Sequence, residues 1–288
     1  MAQNLALKFE LYRNFVAKLT SYSFMKQYIS EHARIFINSF NFEPHTISVE
    51  VLGEKFDFYI GNPTGESWYG GKIEDNEMSF TKKELINPGV IVIECGAHHG
   101  FTTILLSRWV GDDGKVIAIE PIPDNVAILK KNIELNGLRN VTVIEKAAGP
   151  TNGYVSMKRS TSRHSNGAVS PTGRDIRNQV ECITVDTISQ RFNVIASLIK
   201  IDVEGFEYKV LEGCKSTLAY NPAILLEIHI PAMLRYGNTF KDLWKFVNPD
   251  AYDISVQSGF DEAVPYSPRE FKGRVTRLFF KPRPKVPA

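Results

Sequence analysis

The sequence predicts an α/β fold in which a mostly parallel sheet is flanked by helices. The first observation is the stretch VIVIECGAHHG (residues 90–100), which is followed at once by the helical pattern FTTILLSRWV. A short apolar run that ends in glycines and leads into a helix is typical of the strand–loop–helix unit of nucleotide-binding domains. The second observation is that strand and helix patterns keep alternating downstream, and such alternation produces parallel strands with right-handed crossovers.

The region before this turn predicts helices and a β-hairpin. Apolar residues recur at helical spacing over residues 4–38, which predicts two or three helices that cover the core or contact a second copy of the chain. Residues 47–51 and 55–60 alternate in polarity, which predicts the hairpin. We expect these elements to form an N-terminal extension over residues 1–80, followed by the main domain over residues 81–288.

The main domain shows strand patterns separated by helix patterns, with a polar insertion at about residues 150–180. Strands are predicted at residues 90–94, 115–120, 141–145, 197–201, 223–228, 252–257 and 275–280. Helices are predicted at residues 101–110, 124–136 and 236–247, and another begins at residue 206. Ligands of such sheets bind beyond the carboxyl ends of the strands, so the residues that end each strand are the candidates for function.

Composition and charge exclude several classes of protein. The formal charge of +2 argues against a protein whose main task is to bind nucleic acid phosphates. No apolar run of about 18 residues is present, so no membrane-spanning helix is predicted, and the N-terminus lacks the pattern of a signal peptide. Three widely spaced cysteines form neither a disulfide framework nor a zinc motif, which favours a cytoplasmic protein.

The glycine turn itself favours a positively charged ligand. Gly96 allows a sharp turn and Gly100 allows a close start to the helix, but the spacing G-x-x-x-G lacks the third glycine of the dinucleotide pattern. Glu94, two residues before the turn, would repel a pyrophosphate. An acid at this place suits the ammonium or sulfonium group of S-adenosylmethionine.

Two further strand ends extend the predicted cofactor site. Glu120 ends the second strand roughly 20 residues after the turn, where an acid is expected to bind the hydroxyl groups of a ribose. Two carboxylate oxygens match two adjacent hydroxyls. Pro121 then ends the strand. Lys146 and Ala147 follow the third strand, where small residues allow an adenine ring to approach.

Four chemically active side chains end the next two strands. Asp202 and Glu204 follow one strand and share a face if the strand period persists, and Glu227 and His229 share a face of the other. Each of these residues alone is commonly a solvated or capping residue. Together they place three carboxylates and an imidazole at one edge of the sheet, next to the reactive end of the cofactor.

These stretches together resemble the FkbM-type S-adenosylmethionine-dependent methyltransferases. The resemblance spans about residues 90–230 and rests on ECGAHHG (94–100), AIEP (118–121), IKIDVEGFE (199–207) and LEIH (226–229). It implies a Rossmann-like class I methyltransferase sheet of seven strands, with the last strand antiparallel. It also implies transfer of a methyl group to a hydroxyl of a sugar, glycan or natural-product small molecule.

The resemblance also implies which residues contact S-adenosylmethionine. These are Glu94, Gly96, Ala97, His98, Gly100, Phe101, Thr102, Glu120, Pro121, Lys146, Ala147 and Asp202. This sequence departs from the family in having histidines at 98 and 99, where a small or amide residue is usual, and in having Glu rather than Asp at 94.

The predicted catalytic residues are Asp202, Glu204 and His229. An aliphatic hydroxyl is barely ionised at neutral pH, so a base or a metal must assist its attack. We expect Asp202 to orient a reactant and either His229, whose ordinary pKa suits a base, or Glu204 to take the proton. The alternative is that these three residues and Glu227 bind a divalent cation. Our first expectation is that the site works without a metal.

Two other functions remain open from the sequence. N-methylation is disfavoured because IDVEG stands where such enzymes carry an Asn/Asp-Pro-Pro-aromatic turn. A non-catalytic interaction module would keep the fold and use the aromatic N-terminal helices as its contact surface. The expected partners are therefore a small-molecule or glycan acceptor and, through those helices, a second copy of the chain.

Overall fold

The computed structural model describes residues 42–71, 76–157, 168–170, 178–259, 261–267 and 275–284. The helices predicted over residues 4–38, and with them the predicted contact to a second copy, lie outside these residues, as does most of the central part of the insertion. None of the helices in the described ranges combines the length and the apolar character needed to cross a membrane.

The described chain alternates strands and helices in the predicted order. The strands are β1 (His45–Val51), β2 (Glu54–Ile60), β3 (Ile91–Cys95), β4 (Lys115–Ile119), β5 (Val141–Ile144), β6 (Ala147–Ala148), β7 (Gly153–Ser156), β8 (Gln179–Ile183), β9 (Leu198–Ile201), β10 (Ala223–His229), β11 (Tyr252–Ser258), β12 (Val264–Pro265) and β13 (Val275–Pro282). The helices are α1 (Pro63–Tyr69), α2 (Asn76–Glu84), α3 (Phe101–Val110), α4 (Pro123–Leu135), α5 (Val185–Phe192), α6 (Glu207–Glu212), α7 (Lys215–Leu218) and α8 (Ile230–Met233).

The central sheet has the order β12-β11-β13-β10-β9-β3-β4-β5. Strands β5, β4, β3, β9 and β10 run parallel, and β13 is antiparallel to both of its neighbours β10 and β11. Leaving aside the two-residue edge strand β12, the sheet has seven strands of which β13, the last in sequence, is reversed. The predicted class I methyltransferase sheet is thus confirmed.

The register of the sheet brings the candidate residues to one edge. Cys95 is level with Ile119 on one side and with Ile201 on the other. Ile201 is in turn level with Leu226. Because β3, β4 and β9 end together at this edge, the residues that follow them, among them Asp202, begin their loops side by side, while β10 continues beyond Leu226 to His229.

The core explains why these strands contain few polar residues. The four residues of β9 and the inner residues of β3 and β4 are buried, since helices cover the sheet on both faces. The predicted hairpin, β1 with β2, is present. It packs on the start of α3, where the ring of Phe101 lies 5.5 Å from that of Phe56 and 5.6 Å from that of Phe58.

Three local features of the structure do not appear among the expectations from the sequence. Strand β5 stops at Ile144, and Ala147–Ala148 pair with β8 in a separate three-stranded sheet of order β6-β8-β7. The continuous helix predicted at 236–247 is instead a set of 3-10 turns, because Gly237 has a φ of 75° and Thr239 starts a new capping box. Residues 63–69, rich in turn-forming types, make helix α1, which Asn62 caps through Gly65 N–H at 2.9 Å.

The chain divides into two compact units. In its described part, the smaller unit comprises residues 42–45 and 60–71 and contains α1, together with an ion pair of 3.2 Å between His45 and Glu66. The larger unit comprises residues 46–59 and 72–288 and contains the central sheet. The domain division at residue 80 stays a prediction.

Candidate active site

The glycine turn after β3 is built against the end of β9. Gly96 has a φ of 90°, and a Cβ atom there would lie 1.8 Å from the carbonyl oxygen of Asp202. The N–H of Asp202 also donates to the carbonyl of Cys95 at 3.0 Å. Gly100 has the same φ, and a Cβ there would lie 2.5 Å from a methyl group of Leu129. Gly96 is therefore favoured both by its positive φ and by the backbone of Asp202, whereas at Gly100 the positive φ is the main reason, since the Leu129 methyl group can move.

Glu120 joins the end of β4 to the glycine turn. One carboxylate oxygen accepts the N–H of His98 at 2.9 Å, and the other accepts the N–H of Ile122 at 3.1 Å and the amide of Asn125 at 3.2 Å. Burial raises the pKa of Glu120 to about 7, although these hydrogen bonds favour its charged form. Each carboxylate oxygen has two acceptor positions, so the first retains capacity for a hydroxyl donor. The arrangement fits the expected ribose contact.

Glu94 lies in a buried charge cluster. It is fully buried, and one carboxylate oxygen accepts the hydroxyl of Thr103 at 2.6 Å. Its other oxygen lies 3.9 Å from the ammonium of Lys200, which also lies 3.3 Å from the carboxylate of Asp202. Burial raises the pKa of Glu94, whereas the charge of Lys200 overcomes the effect of burial on Asp202 and lowers its pKa. Two carboxylates thus share one buried ammonium behind the turn.

The two histidines of the turn, His98 and His99, contact each other and helix α4. Their rings stack with centroids 3.9 Å apart. His99 is fully buried, its Nε2 lies 3.2 Å from the amide oxygen of Asn125, and its carbonyl accepts from Asn132. Burial lowers the pKa of His98 to about 4, so this ring is neutral at physiological pH. The histidines thereby link the turn to α4.

The other residues predicted to contact the cofactor differ in their burial and in the contacts they already make. Ala97 is buried beneath the turn, and Thr102 and Pro121 are half-buried. The Phe101 ring faces the hairpin, as described above. Lys146 forms an ion pair with Glu181 of β8, and Ala147 lies in β6. In the described structure, then, the side chain of Phe101 and the charge of Lys146 are already engaged by other parts of the chain.

Asp202, Glu204, Glu227 and His229 meet at the carboxyl edge of β9 and β10. The expectation that Glu204 follows a continued strand is wrong, because β9 ends at Ile201 and Glu204 has a φ of 57° within a turn. Its carboxylate nonetheless lies 3.5 Å from Nε2 of His229. Glu227 shares the face of His229, as predicted, with 3.8 Å between its carboxylate and the same nitrogen.

The charge state of His229 differs from that of an ordinary histidine. Burial opposes its charged form, but the hydrogen bond to Glu207 and the charges of Asp202 and Glu204 outweigh burial and raise the pKa of His229 to about 10. Burial and the charge of Asp202 likewise raise the pKa of Glu227 to about 8, against the opposing effect of Arg277 at 2.8 Å. At neutral pH the imidazole is therefore positively charged.

Three of the four metal candidates form a group that could hold a cation. Asp202, Glu227 and His229 each offer one ligand atom, and these atoms lie within 4.8 Å of one another. Each of the three residues already has a partner of opposite charge, namely Lys200, Arg277 and Glu207 respectively. The three residues that could hold a cation therefore also take part in ion pairs within the described chain.

Comparison with known proteins decides the family. Residues 94–254, more than half of the chain, match the model of the methyltransferase FkbM domain. The chain belongs to the FkbM methyltransferase family. The resemblance carried by the strand-end motifs is confirmed, and since the methyltransferases of this family use S-adenosylmethionine, so is the expected cofactor.

Individual relatives of this FkbM protein are distant. A protein-L-isoaspartate O-methyltransferase from Methanococcoides burtonii is 34% identical over 59 residues, which is 20% of this chain and 29% of that protein. The chain spans less than half the length of the curated relatives it matches. Among solved structures, an S-adenosylmethionine-dependent O-methyltransferase from Thermotoga maritima is 14% identical with a TM-score of 0.44, covering 84% of this chain and 79% of that one. The fibrillarin pre-rRNA processing protein of Methanococcus jannaschii is 12% identical with a TM-score of 0.46, covering 82% of each chain.

Sequence reasoning about the FkbM domain missed three residues at this edge. Lys200 and Glu207 stand inside the IKIDVEGFE motif, and a lysine in an otherwise apolar buried strand was a signal that a counter-charge is needed. Arg277, which pairs with Glu227, lies on β13 directly opposite it in the register. That pairing could not be found without knowing the order of the strands.

Proposed function

We propose that the chain is an S-adenosylmethionine-dependent O-methyltransferase that acts on a hydroxyl group of a sugar, glycan or natural-product small molecule. The observation that carries the proposal is the meeting of Asp202, Glu204 and His229 beside the glycine turn. When bound, S-adenosylmethionine supplies a methyl group on a positively charged sulfur. The chain then has to hold the hydroxyl in line with that methyl group and remove the hydroxyl proton.

On the cofactor side, Glu120 binds the ribose hydroxyls and the Glu94–Asp202 pocket attracts the positive charge. Two observations support these assignments: one oxygen of Glu120 has capacity for a further donor, and Oε1 of Glu94, which lies 3.9 Å from the Lys200 ammonium, has no hydrogen-bond partner among the described residues. Gly96 keeps the turn close to Asp202, so one short segment carries both groups.

On the acceptor side, Glu204 takes the proton. As the new O–C bond forms and the S–C bond breaks, the attacking oxygen becomes positive and its proton strongly acidic, so a carboxylate is a sufficient base. His229 is a poorer acceptor in the free protein, because its raised pKa keeps it protonated. It instead holds the Glu204 carboxylate by charge at 3.5 Å, while Asp202 orients the hydroxyl.

Transfer of label from tritiated S-adenosylmethionine to a panel of hydroxyl compounds tests this function. The panel contains monosaccharides, oligosaccharides and polyhydroxylated natural products, with amines, peptide carboxylates and RNA as other acceptor classes. We expect an alkali-stable methyl ether on a hydroxyl compound. Label only in an amine, a carboxyl ester or RNA would overturn the acceptor assignment, and absence of cofactor binding at millimolar concentration would favour an interaction module.

Two variants test the assigned roles. Glu204→Gln and His229→Ala should lose most turnover, while calorimetry shows cofactor affinity nearly intact, because neither residue is assigned to the cofactor. Glu212→Gln is the matched control, since Glu212 pairs with Lys209 on the surface and lies outside the site. Turnover that survives in Glu204→Gln would show that this carboxylate is not the base.

A further inference from the structure

Glu207 is a buried carboxylate to which the proposed chemistry assigns no role. It is fully buried at the start of α6. One oxygen accepts the N–H of Gly205 at 2.7 Å and meets Nδ1 of His229 at 3.0 Å, and the other has no hydrogen-bond partner among the described residues. Burying a carboxylate with an unmatched oxygen costs free energy. The contacts that Glu207 makes with His229 and Gly205 offer a reason for keeping a carboxylate in this buried position.

The contact between Glu207 and His229 fixes the chemistry of the imidazole ring. The His229 ring is charged at neutral pH, so both of its nitrogens carry a proton and Nδ1 donates to the Glu207 oxygen at 3.0 Å. The other ring nitrogen, Nε2, is then directed to the opposite side, where Glu204 lies at 3.5 Å and Glu227 at 3.8 Å. Glu207 thus determines which nitrogen faces the reacting edge.

The same carboxylate also fixes the backbone that carries Glu204. Glu204 has a φ of 57° and Gly205 a φ of 103°, and a Cβ at Gly205 would lie 2.3 Å from the Cβ of Ala232. The turn is therefore held closely against α8. The N–H of Gly205 donates to the oxygen of Glu207 that meets the ring. One buried group consequently anchors both His229 and the residue next to Glu204.

We infer that Glu207 is a positioning residue for methyl transfer, which holds the His229 ring and the Glu204 turn in one fixed arrangement so that the Glu204 carboxylate can receive the hydroxyl proton. This inference rests on the proposed function. The hydrogen bond from Nδ1–H of His229 to Glu207 can be measured without a methyl-acceptor substrate. An experiment that finds no such bond is therefore distinct from one that finds no methyl transfer.

Nuclear magnetic resonance of the full chain labelled with ¹⁵N-histidine tests the bond. Of the six histidines, His229 is assigned by the loss of its signals in His229→Gln. In the unmodified chain we expect a slowly exchanging, downfield Nδ1–H proton, which shifts upfield in Glu207→Gln and stays unchanged in Glu212→Gln. A His229 ring that carries its proton on Nε2 alone in the unmodified chain would overturn the inference, whether or not Glu207→Gln folds.

Kinetics with the hydroxyl acceptor found in the tritium assay test the role. We expect Glu207→Gln to lower kcat by about 10- to 100-fold, the usual effect of removing a carboxylate that orients a functional histidine, with the dissociation constant of S-adenosylhomocysteine unchanged. Glu207→Asp should restore part of kcat, because it keeps the charge. Equal kcat in Glu207→Gln and the unmodified chain would overturn the positioning role of Glu207. If the chain forms the hydrogen bond but methylates no hydroxyl compound, both this role and the proposed function are refuted.

Discussion

Replacing Gly96 by Ala tests whether the glycine turn is fixed by the end of β9. The new Cβ would lie 1.8 Å from the carbonyl oxygen of Asp202 and 2.9 Å from its carbonyl carbon, whereas real Cβ atoms essentially never approach within 3.0 Å. The turn and the β9 end must therefore separate by about 1 Å, as in other overpacked cores. Both contacts are to backbone atoms, so rotation of a flexible side chain cannot relieve them.

The expected loss of stability has two parts. A residue with a Cβ at a φ of 90° costs about 1–2 kcal/mol relative to glycine, and overpacking adds about 1–3 kcal/mol. Gly137→Ala is the matched control, because Gly137 has a φ of 61° and nothing within 4 Å of its Cβ position. The control should lose only the first part, so Gly96→Ala should be about 1–3 kcal/mol less stable than Gly137→Ala.

Urea unfolding followed by circular dichroism measures the two stabilities, and calorimetry with S-adenosylhomocysteine measures the consequence for the site. Displacing the turn also moves the N–H of His98 away from Glu120, so cofactor affinity should fall at least about tenfold, or 1.4 kcal/mol, in Gly96→Ala and not in Gly137→Ala. If the two variants unfold within about 0.5 kcal/mol of each other and bind equally, the argument from close approach is refuted.

Three further predictions concern the charges of the site. Because the pKa of Glu120 is about 7, cofactor affinity should be full at pH 8 and fall as the pH drops to 5.5, where the protonated acid no longer attracts the ribose hydroxyls. In calorimetry, the affinity of Glu120→Gln should not depend on pH. An affinity that is independent of pH in the unmodified chain would contradict the ribose role. Lys200→Met should destabilise the fold by about 3–5 kcal/mol at pH 7.5, since it leaves Glu94 without its buried counter-charge. In urea unfolding this loss should shrink at pH 5, because burial already raises the pKa of Glu94 and a protonated acid needs no counter-charge. The control Lys209→Met, which removes a half-buried pair outside the site, should cost at most about 1 kcal/mol. Methyl transfer should persist after exhaustive chelation, because the cation candidates are already paired; loss that Mg²⁺ or Mn²⁺ restores would instead support a metal centre at Asp202, Glu227 and His229.

Much of the fold could be predicted because local pattern and global structure agree. The apolar strands, the helix starts and the hairpin around Gly53 are local properties, and the parallel order follows from their alternation. The turn at Asp202–Gly205 could not be predicted in the same way. Period-two alternation assumes that the strand continues, whereas Glu204 has a positive φ that few residues other than glycine adopt. Its side chain reaches His229 through that turn and not through strand geometry.

The sequence predicted which residues form the candidate site better than it predicted their charges and pKa values. Sequence shows that acids and a histidine end neighbouring strands, but a pKa depends on burial and on residues far away in the chain. Glu227 is paired with Arg277, 50 residues later, and His229 with Glu207, 22 residues earlier. An ordinary pKa of His229 favoured it as the base, and the surrounding carboxylates reverse that argument by keeping it charged.

The charges at this edge favour binding of a cation even without a metal. Six acids, Glu77, Glu94, Asp202, Glu204, Glu207 and Glu227, lie near three cationic groups, Lys200, His229 and Arg277. With all of these carboxylates ionised and the three cationic groups charged, negative charge would be in excess, and the raised pKa values of Glu94 and Glu227 show that burial makes the excess costly. A positively charged methyl donor relieves that cost, whereas the neutral product of transfer does not. If this edge holds the positively charged sulfur as proposed, S-adenosylhomocysteine should bind more weakly than S-adenosylmethionine. The ratio of the two dissociation constants measures how much the edge contributes to product release.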